Sequence, residues 1–343
     1  MIDKERRVIY IDNSTLAAHR ACHEKANLSY NIGWRSNRIG AAPGFGHAIH
    51  SGIAGYYDAK AGGYHKDGTW HLFEPGMETD PVKRAQLAFL EDIRQTGMEM
   101  PLRVDDIDVK HSIERGLALL DAYIYRYRNE PYDNIIIDGK PLVEVGFTYD
   151  LCNYTAPDGD IYKIVYCGFI DRIMRNRATK LPVNHEFKTT SLALSQYIKQ
   201  CNPNSQITGY KPAGEKILNE PILTTVWDCM FISDRQPDLK KAEKSRFFMY
   251  GVDVEKDFKR EFTTRNADEV ADWWVDTVDD ARNYAYWLFS DNKRWTRNTG
   301  SCNQFGGCDF RKVCIHRQSA DVLATDFHIE KWNPAKRIRE GKR

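Results

Sequence analysis

The spacing of hydrophobic residues is helical before about residue 130 and strand-like soon afterwards. Two helical patterns lie between residues 81 and 130. In the second, four apolar residues recur at the spacing of one helix face, namely Ile113, Leu117, Leu120 and Ile124. β-Branched and aromatic residues then dominate three segments, which are 142–151, 161–173 and 181–189. The pattern predicts a helical layer followed by three consecutive strands.

The N-terminal part of the chain also has helical signals. Ser14 is a candidate N-cap for a helix from about Thr15 towards Tyr30, and Asn31-Ile32-Gly33 supplies the stop signal. The glycine-rich stretch 35–46 is predicted to be a loop. A second helix is expected to follow it over 47–57, and residues 60–80 have no clear period.

After the three strands the elements alternate. A helix is predicted over 204–218, followed by strands over 224–232 and 246–254. Asn266 and Glu269 form a capping box for a long helix that reaches Ser290. We expect six residues to form its apolar stripe and to pack against the sheet, and these are Val270, Trp274, Val278, Ala281, Ala285 and Leu288.

Composition and charge limit the class of protein. Aromatic residues make up 12% and charged residues 28% of the 343 residues, which argues against disorder. No window approaches the roughly 18 apolar residues of a membrane helix, and no apolar run follows the N-terminus. We therefore expect a cytoplasmic protein with no membrane contact. The net charge of +1 excludes a polycationic nucleic-acid coat, but it allows an enzyme with a local positive groove.

Two strand segments carry the strongest chemical signal. Asp171 lies in Gly168-Phe169-Ile170-Asp171, and Glu186 and Lys188 share one face of the next strand because side chains alternate with period two. A hairpin turn near Asn176-Arg177 is expected to place Asp171 opposite Asn184, so that Asp171 and Glu186 can bind one Mg²⁺ or Mn²⁺. Lys188 can then orient a water molecule or hold a phosphoryl oxygen. The alternative is an ordinary cross-strand ion pair.

Other residues extend this set. Gln206 and Tyr210 are spaced i, i+4, so they share a helix face and can contact a nucleic-acid backbone or brace Lys188. Pro212 is expected to kink this helix. His50 adds a nitrogen ligand, and His47 competes for that role one turn earlier.

The eight cysteines are expected to be metal ligands or buried thiols, because disulfides are rare in a reducing compartment. Cys302, Cys308 and Cys314 flank Gly306-Gly307, a loop that can wrap a metal. Their spacing is compatible with either an iron–sulfur cluster or zinc, and three buried unligated thiols are the alternative. The spacing does not choose the fourth ligand among Cys22, Cys152, Cys167, Cys201 and Cys229.

The order of these motifs over about residues 14–316 resembles the RecB-like nucleases of the PD-(D/E)XK superfamily. The resemblance is closest to the iron–sulfur branch that includes AddB-type, CRISPR-associated RecB-like and phage exonucleases. It rests on Gly46-x-x-x-His50, Glu144, Gly168-x-x-Asp171, Glu186-x-Lys188, Gln206-x-x-x-Tyr210 and the terminal cysteines. Ile170 replaces the proline of the superfamily name, and the Cys302–Cys308 step is wider than usual.

The resemblance implies a fold and an activity. It implies an α/β restriction-endonuclease-like core, with a mixed central sheet flanked by helices, in a single domain over 1–330. A helical insertion over 51–135 and a cluster-binding region at 14–30 and 295–316 would complete the domain. A basic tail follows at 331–343. The implied activity is Mg²⁺- or Mn²⁺-dependent DNA exonuclease chemistry in DNA recombination or repair.

The resemblance also implies roles for single residues. His50, Asp171 and Glu186 would be metal ligands, Lys188 the catalytic lysine, and Gln206 and Tyr210 the motif that follows. Four residues would hold a 4Fe-4S cluster, with zinc as the weaker alternative, and these are Cys22, Cys302, Cys308 and Cys314.

Partners and alternatives complete the expectations. No phosphate-loop motif is present, so a helicase or recombination partner would be a separate chain. Arg35, Arg38, Arg172 and the basic tail can contact DNA phosphates, although solvated charge is the ordinary role of such residues. The alternative function is a non-catalytic nucleic-acid-binding or assembly protein that keeps this fold and cluster.

Overall fold

The computed structural model describes residues 2–37, 40–60, 63–65, 70–71, 80–98, 100–103, 109–290, 294–304, 307–316, 325–334, 336 and 338. Arg38, Gly306 and most of the predicted basic tail lie outside the described residues.

The described elements are helices and strands in nearly equal number. The helices are α1 Asn13–Ala21, α2 His23–Ala26, α3 Ala41–Ala59, α4 Pro81–Thr96, α5 Ile113–Tyr127, α6 Leu194–Tyr197, α7 Ser205–Leu218, α8 Leu239–Ala242, α9 Ala267–Phe289 and α10 Arg311–Ile315. The strands are β1 Ile2–Asp3, β2 Val8–Ile11, β3 Trp34–Ser36, β4 Gly63–His65, β5 Trp70–His71, β6 Tyr132–Ile137, β7 Lys140–Pro141, β8 Val143–Thr155, β9 Ile161–Asn176, β10 Pro182–Thr190, β11 Thr224–Phe231, β12 Phe258–Thr264 and β13 Phe327–Ile329.

The chain divides into two compact units. A terminal unit contains residues 1–38, 146–169 and 266–343, and a central unit contains residues 39–145 and 170–265. Each unit has its own cluster of buried apolar residues.

The central unit is built on a mixed sheet. Its strand order is β12-β11-β10-β9-β6-β4-β5, in which β10 is parallel to β11 and antiparallel to β9. Helices α3, α4 and α5 bury a large apolar cluster against Phe187 of β10 and Phe258 of β12. Helix α7 lies on the other face, where Asn184 of β10 donates to the carbonyl of Tyr210. This arrangement confirms an α/β fold with a mixed sheet flanked by helices.

The terminal unit contains strands, a long helix and the chain ends. β2 pairs with β1 and runs parallel to the first half of β9, while β13 pairs with β3. Helix α9 begins at the predicted capping box of Asn266 and Glu269. Of the six residues predicted for its apolar stripe, Ala281 and Ala285 are buried and the other four are half-buried. Trp273, Thr277 and Tyr284 are also buried, so the buried face is shifted from the predicted one. Trp273 packs edge-on against Tyr166 of β9.

Two predicted helix boundaries near the N-terminus are wrong. Asp12, not Ser14, caps α1, because its carboxylate accepts the amide of Thr15 at 2.7 Å. The helix then breaks at Cys22, whose backbone is extended. Helix α3 begins at Ala41, inside the predicted loop. Gly46, one of the residues that suggested a loop, instead lets the helix lie close to Thr189, where a Cβ atom would come within 2.7 Å of Oγ1.

One predicted strand is also wrong. Residues Arg246–Tyr250 form a 3-10 helix that ends at Gly251 in the left-handed conformation, with φ of 67°. Phe247, Val252 and Val254 are buried in the helical cluster rather than in the sheet. The sheet-edge strand is instead β12, which the hydrophobic pattern did not reveal because its residues are largely polar.

None of the helices in the described parts of the chain combines the length and the apolar content needed to cross a bilayer.

Candidate active site

The site lies where β9 and β10 stop pairing. The ladder runs from Pro182 opposite Arg175 to His185 opposite Arg172. The predicted register is wrong by two residues, since Asn184 faces Ile173 rather than Asp171. The turn is centred later than expected, because the Asn176 side chain accepts the amides of Ala178 and Thr179 at 2.9 and 3.1 Å.

Asp171 occupies the fork between the two strands. Continuing the ladder by one pair would place Asp171 opposite Glu186, but the described pairing ends before that point. The Asp171 carboxylate instead accepts the backbone N–H of Phe187, with Oδ2 at 2.7 Å from the nitrogen. A side chain therefore replaces the backbone of β9 as the partner of β10, and this contact fixes the carboxylate between the strands.

Three side chains from three elements converge at this fork. The ligand atoms of His50 on α3, Glu144 on β8 and Asp171 on β9 all lie within 4.8 Å of one another. His50 Nδ1 is 3.8 Å from Asp171 Oδ2. An imidazole nitrogen and two carboxylates form a ligand set suited to a divalent cation such as Mn²⁺ or Mg²⁺.

Glu144 was not identified from the sequence as a candidate ligand, and it entered there only as one position of the family resemblance. Its φ is 50°, a left-handed conformation that costs a non-glycine residue about 1–2 kcal/mol. Such a residue inside a strand turns a side chain out of the regular alternation. No spacing rule predicts this, because the signal is a backbone conformation.

Glu186 is buried beside this group. Its side chain is 2% exposed, and its Oε1 accepts from Gln206 at 2.8 Å and from Lys188. Its Oε2 is buried and has no hydrogen-bond partner among the described residues. Burial, reinforced by the nearby Asp171 carboxylate, raises the pKa of Glu186 to about 8, although Lys188 opposes the shift. Because burial disfavours its ionised form, a bound cation would stabilise the Glu186 carboxylate.

Lys188 and α7 complete the surroundings of Glu186. Burial lowers the pKa of Lys188, but the carboxylates of Glu186 and Asp171 outweigh burial and raise it overall. Gln206 also donates to the Tyr210 hydroxyl at 2.8 Å, so these two residues brace Glu186 rather than Lys188. Helix α7 contains Pro212 and still continues to Leu218.

The structure distinguishes the two histidines of α3. His47 faces α4, where its Nδ1 lies 2.7 Å from Asp92 Oδ2. His50 faces the carboxylates, and burial, with smaller contributions from Lys188 and His47, lowers its pKa to about 3. His50 is therefore neutral near pH 7, which leaves a nitrogen lone pair for a metal.

Four half-buried cysteines of the terminal unit are electrostatically coupled. Burial raises the pKa of the Cys308 thiol, and Cys302 adds to this shift. Burial also raises the pKa of Cys314, and both Cys308 and Cys22 add to it. The Cys22 sulfur accepts the backbone N–H of Asn298 at 3.4 Å.

The remaining cysteines have other surroundings. Cys167 is buried and donates to the carbonyl of Ile11 at 3.1 Å. Cys201 and Cys229 are buried in an apolar cluster of the central unit. Cys152 is half-buried, and burial raises the pKa of its thiol. Of the five possible fourth ligands, Cys22 adds to the raised pKa of Cys314, with a smaller contribution than burial, Glu24 or Cys308.

Two of the arginines proposed for phosphate contact are occupied elsewhere. Arg172 has a fully buried side chain that pairs with Glu130 at 2.9 Å, so it is neither a surface charge nor a phosphate ligand. Arg35 donates to the carbonyls of Ser29 and Trp34.

Compared with known protein families and with curated proteins, the sequence matches none.

Proposed function

We propose that the protein is a metal-dependent DNA exonuclease of the RecB-like PD-(D/E)XK type. The observation that carries the proposal is the fork between β9 and β10, where Asp171 and Glu186 come together with Lys188. His50 from α3 and Glu144 from β8 place ligand atoms within 4.8 Å of Asp171, and Glu186 lies beside this group rather than within it. In this proposal the protein hydrolyses phosphodiester bonds in DNA with the help of a divalent cation bound at the fork.

The residues fit a divalent cation. Glu186 Oε2 is a buried acceptor without a hydrogen-bond partner among the described residues, and the neutral His50 has a lone pair to offer. His50, Asp171 and Glu186 would hold Mg²⁺ or Mn²⁺, with Glu144 as a further ligand. When bound, such an ion offsets phosphate charge and lowers the pKa of a water molecule.

The side chains of the protein have separate roles in this proposal. Lys188 is protonated near pH 7, because Glu186 and Asp171 raise its pKa. It therefore acts as a cation that holds a phosphoryl oxygen or a water molecule, rather than as a general base. Gln206 and Tyr210 keep Glu186 in one orientation through the chain of hydrogen bonds described above.

The test of the proposal is a cleavage assay with labelled single- and double-stranded DNA, in Mn²⁺ and in EDTA. Wild-type protein should degrade linear DNA with Mn²⁺ only, and covalently closed circles should survive. Lys188→Ala should be slower by at least about 100-fold, the scale of losing one group that stabilises developing charge. Lys199→Ala is the matched control, since Lys199 is an exposed lysine shortly after the same strand.

The outcomes separate the proposal from its alternative. DNA binding without metal-dependent cleavage would favour the non-catalytic assembly protein. Cleavage that is equally fast in Lys188→Ala and in Lys199→Ala would remove the assigned site.

We also propose that Cys22, Cys302, Cys308 and Cys314 hold a 4Fe-4S cluster. Their electrostatic coupling and the N–H donated to Cys22 support this, because such clusters accept hydrogen bonds at sulfur. In the described chain no three cysteine sulfurs all lie within 4.8 Å of one another.

Metal analysis tests the cluster. Anaerobically purified protein should be brown and contain iron and sulfide, and Cys22→Ser should lose them. Cys152→Ser, on another half-buried cysteine, should keep them. A colourless protein with stoichiometric zinc would contradict the proposal.

A further inference from the structure

Behind the fork, the central unit contains a buried network of charges. Arg172 pairs with Glu130 at 2.9 Å, and Arg260 pairs with both Glu130 and Asp228, at 3.0 and 2.6 Å. His185 lies 2.9 Å from Asp228. All five side chains are at most 10% exposed. Charges this deeply buried normally require a specific reason, because desolvation costs several kcal/mol per ion.

The network is tied to its surroundings by directional contacts. Arg172 Nε donates to Asn134 at 3.0 Å, and the guanidinium lies 3.7 Å from the centre of the Tyr57 ring. Asn134 in turn donates to the carbonyl of Tyr57 at 2.8 Å. The position of Arg172 is therefore determined by an ion pair, an amide and an aromatic face together.

Two network residues are the immediate neighbours of the proposed ligands. Arg172 follows Asp171, and His185 precedes Glu186. Because successive strand residues point to opposite faces, Arg172 and His185 lie on the face opposite to the two carboxylates. They are also cross-strand partners, and they form the last described pair of the β9–β10 ladder before the fork.

The network continues across the neighbouring strands. Asp228 of β11 is the partner of Phe187, the residue whose amide Asp171 accepts. Arg260 of β12 is in turn the partner of Asp228. One connected set of charges thus holds β9, β10, β11 and β12 at the level where β9 and β10 separate.

We infer that this network positions the cation site. Arg172 and His185 determine where the ladder ends, and so they set the separation of Asp171 and Glu186 on the other face. The inference rests on the proposed function, since it assumes that these carboxylates bind a cation. Arg172 and His185 are then positioning residues. They resemble the residues that orient the metal ligands of other proteins without touching the metal, and losing such a residue weakens metal binding about 10–100-fold.

The decisive comparison is between two buried arginines of β9. Arg172→Lys keeps the charge but loses the two-pronged contact with Glu130 and Asn134. Arg175→Lys is the control, because Arg175 is also buried, pairs with Glu220 at 2.9 Å and contacts no network residue in the described contacts. Mn²⁺ affinity of the full-length protein is measured by calorimetry, and stability by urea denaturation.

A positioning role predicts that Arg172→Lys weakens Mn²⁺ binding at least tenfold, while Arg175→Lys changes it less than twofold at a similar loss of stability. An Mn²⁺ affinity that is unchanged in both variants would overturn the inference. So would an affinity that is weakened equally in both. If Arg172→Lys does not fold, Asn134→Ala removes one contact of Arg172 and should weaken Mn²⁺ binding about threefold. Unchanged affinity in that variant would then overturn it.

The outcome for wild-type protein separates this inference from the proposed function. Wild-type protein that binds no Mn²⁺ removes the cation site itself. Wild-type protein that binds Mn²⁺, with affinity unaffected by Arg172→Lys, removes only the positioning role.

Discussion

Two pairs of acidic residues in the central unit are equally buried and yet have opposite electrostatics. Taken as whole residues, Glu186 at the fork is 1% exposed, and burial with Asp171 raises its pKa to about 8. Glu130 in the network is 5% exposed, and Arg172 and Arg260 outweigh burial and lower its pKa to about 2. Asp228 likewise has a pKa below its usual range, because Arg260 and His185 outweigh its burial.

The difference follows from the number of resident cations. Glu130 and Asp228 share two guanidinium groups, and the Lys60 ammonium lies 3.8 Å from Glu130, so their charges are compensated within the protein. Among the described residues, Lys188 is the cation paired with Glu186, and its ammonium also interacts with Asp171, while the His50 imidazole is neutral. Burial alone therefore does not decide the state of a carboxyl group. A divalent cation would add positive charge at the fork.

The largest expected effect comes from breaking the compensated pair. Asp228→Ala leaves Arg260 buried without its main partner, which should cost about 3–5 kcal/mol of unfolding free energy. Urea denaturation measures this cost. Glu255→Ala is the control, since Glu255 forms an exposed pair with Arg126 and its loss should cost no more than about 1 kcal/mol. Similar losses in both variants would mean that the network is not the stabilising element.

Glu186→Gln should have the opposite effect on stability. It removes a buried charge that Lys188 compensates only in part, so the metal-free protein at pH 8 should be about as stable as wild type. The variant should bind Mn²⁺ more than about 100-fold more weakly. The effect should exceed that of Arg172→Lys, because Glu186 is a proposed ligand and Arg172 only positions the ligands. Calorimetry measures the affinity. A variant that unfolds as readily as Asp228→Ala would erase the contrast between the two pairs.

The pH dependence of stability sharpens the contrast. The pKa of Glu186 is raised in the folded protein, so its stabilising contribution is full below the unfolded pKa and is lost as pH rises through about 8. Stability should fall by up to about 1.4 kcal/mol per pH unit between pH 6.5 and 8. His50 has a folded pKa of about 3 and an ordinary unfolded pKa of about 6.5, so it opposes this fall near pH 6.5 and no longer does so above about pH 7.5. Glu186→Gln should abolish the slope, and a slope that persists in this variant would assign it to another group.

The smallest effect concerns Glu144. Glu144→Gly removes the left-handed strain and should stabilise the metal-free protein by about 1 kcal/mol while weakening Mn²⁺ binding. Asp138→Gly is a matched control, since Asp138 has φ of 51° and lies in the turn between β6 and β7. It should give a similar gain, seen by thermal denaturation, without a change in Mn²⁺ affinity. Equal metal binding in both variants would exclude Glu144 as a ligand.

Several features of the site were predictable because they depend on local sequence. The period of two placed Glu186 and Lys188 on one face, and the i, i+4 spacing joined Gln206 to Tyr210. The hydrogen bond of Gln206 to Glu186, rather than to Lys188, depended on how α7 packs on β10 and was not predictable. The choice of His50 over His47 likewise depended on which face of α3 meets the strands.

Sequence alone determined the alternation of helices and strands, the α/β class and the carboxylate, lysine and imidazole candidates, because periodicity and capping act over a few neighbouring residues. Tertiary structure alone decided the register at Asp171, the inclusion of Glu144 and the burial of Arg172. The physical reason is that these features depend on where two strands separate and on which charges meet across the sheet. Both are set by contacts between residues far apart in the chain.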